Sequence, residues 1–156
     1  MASVMGIDPG LKGGVAVIDI ETGEANFWLL RAIMENRATP FDNIVKAFGV
    51  QHVYIEKAQA FPGQGVNAMF NYGTGFGRII GWCEMLGIKH TLVAPQTWTK
   101  ALHLGCTGKD PKQKSKQAAL RLFPGKDFRA TTDSVTLHDG LIDSLLVAEF
   151  GRRIFK

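Results

Sequence analysis

No apolar run in the sequence approaches the ~20 residues that a bilayer-spanning helix needs, so no membrane span is expected. Cysteine is scarce: Cys83 and Cys106 stand far apart, with no C-x-x-C spacing. They fit a reducing cytoplasm and read as plain core or loop residues. The N-terminus lacks a basic stretch followed by an apolar core, so no secretion signal is expected and the expected location is cytoplasmic. No G-x-x-x-x-G-K-[ST] loop occurs, no segment repeats and no linker interrupts the chain. Residues 1–156 are therefore expected to form a single domain.

What is present is ordinary in amount and uneven in placement. The chain has 156 residues, 46% hydrophobic and 21% charged, which suits a globular protein with a real core. Its net charge is +4. Between Lys100 and Arg129, eight basic residues face only Asp110 and Asp127, so that segment carries +6 and the remainder is mildly acidic. A basic segment on an acidic body suggests a polyanionic partner, and nucleic acid is the common one. A solvated helix face is the plainer explanation of the same run.

The patterning alternates in type along the chain. Val4–Ile7 and Val15–Ile20 read as a hairpin with Gly13-Gly14 near its turn, and "ANFWLLRA" reads as a third strand. "TPFDNIVKAFGV" reads as a short helix with Thr39 as N-cap and Pro40 next to it. "HVYIE" is a compact strand, residues 65–86 have helical spacing ended by Gly87, and "HTLVA" is a fifth strand. "PQTWTKAL" is a short helix, "GCTGKDPKQK" a polar loop, "KSKQAALRLF" a helix stopped by Pro124-Gly125, and "HDGLIDSLLVAEFGRRI" a terminal helix. The expected fold is α/β: a mixed five-stranded sheet, three antiparallel strands and then parallel ones, flanked by helices.

The carboxylates break this pattern where it is most apolar. Asp8 follows Val4-Met5-Gly6-Ile7, and Glu56 follows Val53-Tyr54-Ile55. A charge at a buried strand is costly unless paired or bound to metal. Asp139 and Asp143 lie four apart and share a helix face, which Leu146, Val147 and Phe150 continue as an apolar stripe. Asp8 alone reads equally as a turn residue, and Asp139 alone as a helix N-terminal charge. Together the four form a hard oxygen donor set suited to Mg²⁺ or Mn²⁺. Two such ions ~4 Å apart serve in-line phosphoryl displacement. Glycines after Asp8 suit a close approach of substrate backbone.

"GIDPGLKGG", "YIEKAQAFPGQG", "PQTWTK" and "DGLIDSLLVAEFGRR" together resemble RuvC-type Holliday-junction resolvases, above all their short phage and organellar branches. The resemblance runs over nearly the whole chain, with the blocks in order. It implies a ribonuclease-H-like fold, a homodimer, and Mg²⁺-dependent paired nicking of four-way junction DNA with two ions per site, Mn²⁺ substituting. The host implied is a bacterial or phage-infected cell, an organelle being the alternative. The family's first-strand aspartate falls on Asp8, its strand-end glutamate on Glu56 and its last helix aspartate on Asp143. Asp139 is the expected fourth ligand, with His138 as the rival for that place. Lys100 and Lys112 correspond to catalytic lysines near the scissile phosphate, and Lys114 and Lys116 are expected on backbone phosphates. Phe61 is a candidate to stack at the open crossover, with Gln59 and Gln64 contacting base edges; a core position for Phe61 is the plain alternative. "GTGFGR" lacks the dinucleotide spacing and reads as close helix packing, with a dimer interface as one place for it.

Three other classes compete. An actin-like ATPase needs two such domains and a second phosphate loop. An inactive junction-binding protein predicts a lost carboxylate, and Asp8, Glu56 and Asp143 are all present. A related nuclease acting on other branched DNA or on RNA–DNA hybrids shares every residue-level feature above.

Overall fold

A computed structural model describes residues 1–35 and 40–156. The elements are β1 (Ser3–Asp8), β2 (Gly14–Asp19), β3 (Ala25–Leu29), α1 (Leu30–Glu35), α2 (Phe41–Ala47), β4 (Val50–Glu56), α3 (Val66–Met85), β5 (Lys89–Val93), α4 (Pro95–Leu102), α5 (Pro111–Leu122) and α6 (Asp139–Ile154). The sheet has five strands in the order β3-β2-β1-β4-β5. β1–β2 and β2–β3 pair antiparallel, whereas β1–β4 and β4–β5 pair parallel. This is the expected mixed sheet. Among the described residues, no helix is long and apolar enough to cross a membrane.

Two element boundaries differ from expectation. The third strand stops at Leu29 and the chain turns directly into α1, because no glycine, proline or capping residue separates the two apolar stretches. The polar loop after α4 is shorter than expected. Asp110 caps α5 by accepting from the Gln113 N–H at 2.9 Å, and Pro111 supplies the first helical residue. The N-cap expected at Thr39 lies outside the described residues; α2 itself begins at Phe41 after Pro40.

Strand alternation splits the core into two layers. Val4, Ala16, Ile18 and Tyr54 pack beneath α4, α5 and α6, with Trp98, Leu102, Ala118, Leu145 and Phe128. Met5, Ile7, Val15, Val17, Val53 and Ile55 face the other way, against α1, α2 and α3. The two-residue period then decides where the carboxylates point. Asp8 shares the side of Val4 and Gly6, and Glu56 shares the side of Tyr54, so both face the α6 layer. Because β1 and β4 are adjacent and parallel, both strands end at the same edge.

α6 lies unusually close to this sheet. A Cβ on Gly6 would strike the backbone of Ala148, and one on Gly14 would strike Gly140 and Ser144. A Cβ on Gly140 would in turn strike Lys12 and Gly13, and one on Gly151 the Tyr54 ring. Side chains larger than hydrogen at these points would hold the helix off the strands. Gly13 and Gly14 therefore serve contact within the chain, rather than the substrate approach that the sequence suggested.

Candidate active site

Asp8, Glu56 and Asp143 converge at the edge where β1 and β4 end beneath α6. Asp8 Oδ1 accepts the Gly10 N–H at 3.0 Å, an arrangement that Pro9-Gly10 makes by turning the chain immediately after β1. Burial pushes the Asp8 carboxyl up to about 6, against the pull of the Gly10 hydrogen bond, and the charge of Asp139 adds to the rise. Glu56 rises to about 7, through burial first and the Asp8 charge second, with a hydrogen bond from Trp98 opposing. Asp143 rises furthest, to about 8, through burial and then the charges of Asp8, Glu56 and Asp139; the Ser115 hydroxyl opposes this. Each carboxyl is disfavoured as an anion partly because the others are near.

Asp139 joins this group electrostatically but stands at its rim. Its side chain is 40% exposed and pairs with Lys112 at 3.2 Å and Lys116 at 3.7 Å. Lys116, expected only on backbone phosphate, thus stands beside the carboxylates together with Lys112. His138 is the N-cap of α6, and its Nδ1 accepts the Leu141 N–H at 3.3 Å, which occupies one ring nitrogen in a structural bond. Lys100 is exposed and forms no ion pair among the described residues. Trp98, two residues before Lys100 on α4, is the residue of that helix whose side chain meets Glu56. Lys114 is half-buried on α5, its charge felt by His103.

A cleft of about 350 Å³ opens beside Glu56. It is lined by Gly10, Leu11, Lys57, Gln59, Phe61, Gln64, Tyr72 and others. Phe61 is 56% exposed at its lip, so the core alternative for this residue does not hold. Gln64 Oε1 accepts the Phe61 N–H at 3.2 Å, which steadies the loop and leaves the amide nitrogen free for other contacts. Of the "GTGFGR" glycines, Gly73 and Gly77 face open space, whereas a Cβ on Gly75 would lie 3.7 Å from Met34 Cε; Gly81, a turn further on, is open too.

Four residues near the carboxylates carried no sequence signal. Trp98 donates to Glu56 Oε2 at 2.6 Å. Tyr72 reaches the group from α3, and burial together with Asp8 and Glu56 pushes its hydroxyl up to about 12. His103 and Ser115 share a 2.9 Å contact. Trp98, Tyr72 and Ser115 sit in helices whose aromatic or small residues look like packing, and His103 follows α4 directly.

The donor set is all carboxylate oxygen, and its raised proton affinities are those of anions lacking counter-charge. Both properties fit a hard divalent cation. Among the described residues, no three metal-binding side chains are gathered tightly enough to enclose an ion as they stand.

No protein-family profile matches the sequence, and no curated protein matches it. Its structure is similar to solved ones. Its fold is that of solved RuvC structures. A Thermus thermophilus RuvC in complex with a Holliday junction substrate superposes with a TM-score of 0.63 at 14% identity, over 99% of this chain and 97% of that one. Another T. thermophilus RuvC structure gives 0.62 at 19% identity, over 97% and 96%. Ydc2, the yeast mitochondrial Holliday junction resolvase, gives 0.60 at 14% identity, over 97% of this chain and 78% of that one.

Proposed function

We propose that this chain is a metal-dependent endonuclease that nicks four-way DNA junctions in pairs, acting as a homodimer. The observation that carries the reading is the meeting of Asp8, Glu56 and Asp143 where two parallel strands end under α6, with proton affinities raised first by burial and then by neighbouring carboxylates. Solved structures of the same fold, one bound to a Holliday junction and one named a Holliday junction resolvase, support the choice of substrate.

Asp8, Glu56 and Asp143 would hold Mg²⁺, with Mn²⁺ substituting, and Asp139 would complete the set. Two ions bound there would supply positive charge for the attacking and leaving oxygens of an in-line displacement at phosphorus. The chain's own residues do the rest. Lys112 and Lys116 present ammonium groups beside the carboxylates, where a substrate phosphate would take them from Asp139. Phe61 stands at the cleft mouth, where an unpaired base at the crossover would stack, with Gln59 and Gln64 within reach of its edge. Exposed Lys100 and half-buried Lys114 suit backbone contacts that position DNA without reading it.

Two nicks need two sites, and a single chain supplies one carboxylate group, so a twofold dimer follows. The exposed side of α3 suits its interface. Val66 is 83% exposed, Phe70 74% and Met85 86%, and open glycines lie between them.

A labelled four-way junction, a linear duplex and an RNA–DNA hybrid, each incubated with and without Mg²⁺, test the reading. Paired nicks in the junction alone, only with metal, are expected. Asp8→Asn should abolish them and leave junction binding largely intact, because affinity comes mostly from phosphate neutralisation. Wild-type cutting by Asp8→Asn would overturn the assignment of the site.

A further inference from the structure

Two clefts meet at the turn that follows β1. Gly10 and Leu11 line both the cleft beside Glu56 and a second one of about 580 Å³. The second is walled by that turn, by α1 and by one face of α3, where Asn71, Thr74 and Arg78 recur at helical spacing. Among the described residues, three cations line it, Lys12, Arg31 and Arg78, against one carboxylate, Glu35. None of the three belongs to the basic segment between Lys100 and Arg129.

The turn between the clefts is tied down on both sides. The Gly10 N–H donates to Asp8 Oδ1 at 3.0 Å, and the Gly10 carbonyl accepts the Gly13 N–H at 2.8 Å. The Leu30 N–H, at the start of α1, donates to the Gly13 carbonyl at 3.1 Å. The turn is thus a fixed ridge joined to a carboxylate of the site and to the wall of the second cleft. Gly10 adds no side chain to the passage across it.

The arginines are held in ways that a phosphate can replace or share. Arg31 Nε pairs with Glu35 at 2.9 Å, but both side chains are largely exposed, and such a pair contributes little in water. The Arg78 guanidinium stands over the Trp82 ring, 5.5 Å from its centroid, a contact that needs none of its N–H donors. Guanidinium and ammonium groups along a cleft match phosphate oxygens, and the Asn71 amide adds a neutral donor.

We infer that the second cleft binds the phosphodiester backbone of the DNA strand that passes the carboxylate group, with Lys12, Arg31 and Arg78 on its phosphates. The inference rests on the nuclease reading and adds to it a backbone site across the turn from Phe61. Its effect is to fix the path of the strand at the reacting phosphate without reading sequence. The rivals are surface charges with no fixed partner, and a face that meets a second copy of the chain.

Four-way junctions that carry one neutral methylphosphonate linkage, stepped one position at a time from the crossover, separate these. Binding to the full chain is measured in chelator, where no cutting is expected. At particular positions the neutral linkage should weaken wild-type binding about 10-fold, the worth of a charge-assisted hydrogen bond. Lys12→Gln, Arg31→Gln or Arg78→Gln should weaken the unmodified junction similarly, lower the salt slope by ~0.9, and lose nothing further at its own position. Glu35→Gln should tighten binding ~2-fold by releasing Arg31. Should Arg78→Gln fail to fold for want of its contact with Trp82, Lys12→Gln and Arg31→Gln still carry the test. Losses that multiply at every position would mean diffuse charge and would overturn the inference. A variant that falls to half the wild-type mass in light scattering would assign the cleft to a second copy and overturn it too. In both cases wild-type nicking in Mg²⁺ would leave the nuclease reading standing. A wild type that neither binds nor nicks the junction would defeat that reading and this inference with it.

Discussion

At the scale of single residues, the carboxylates are a cost to the free protein. Asp8, Glu56 and Asp143 bind protons more tightly folded than unfolded, at about 6, about 7 and about 8. The native state therefore holds more protons between pH ~4 and ~8, and stability falls as pH rises through that window. In chelator, the thermal midpoint should be higher at pH 5 than at pH 8. Excess Mg²⁺ should reverse the difference at pH 8 by supplying the missing counter-charge. Asp143→Asn should stabilise the chelated protein at pH 8 and flatten the pH profile, while abolishing cleavage; calorimetry across pH checks all three. The lysines divide differently. Ala at Lys112 or Lys116 should slow single-turnover cleavage on the order of 10²-fold with binding little changed. Ala at Lys114 or Lys100 should weaken binding to any DNA shape and lower the salt slope by ~1. Equal losses of binding at all four would mean that the segment is only a basic patch.

At the scale of elements, glycines mark two opposite situations. Gly6→Ala places a methyl against the Ala148 backbone, and overpacking of this kind costs typically ~1–3 kcal/mol. Gly77→Ala meets open space on α3, and removing a helical glycine should stabilise the isolated subunit by up to ~1 kcal/mol. Denaturant melts of both variants check the contrast. Sequence spacing reveals neither difference, since "MGID" and "GFGR" look alike as glycine-bearing runs. The mixed sheet was legible because β1, β2 and β4 are short apolar runs separated by turn residues. α1 was not, because Leu29-Leu30 joins strand to helix without punctuation. The same holds for the site. Asp8, Glu56 and Asp143 stood out as charges interrupting apolar patterns. Trp98 did not, because its role depends on Glu56, 42 residues away. Lys116 was assigned to phosphate alone because its pairing with Asp139 spans two helices.

At the scale of the whole molecule, the proposed function draws on two faces. The basic α4–α5 segment borders the carboxylates, and the open α3 side carries exposed Val66, Phe70 and Met85. Gly77→Glu should leave the monomer folded, because the position is open, and should shift light scattering toward half the wild-type mass. Monomeric wild type at high concentration and on junction DNA would overturn the dimer. The close seating of α6 has a further consequence, in time rather than space. Ribosomes make β1 first and α6 last, and Gly6 meets Ala148 only after everything between has been translated. Contacts so distant in sequence form slowly, because the loop must close before any contact repays it. Asp143 arrives with that helix. A nascent chain therefore carries Asp8 and Glu56 without their partner until α6 has been translated. Stopped-flow refolding should show cleavage competence appearing with the last, slowest fluorescence phase rather than with the burst of sheet formation.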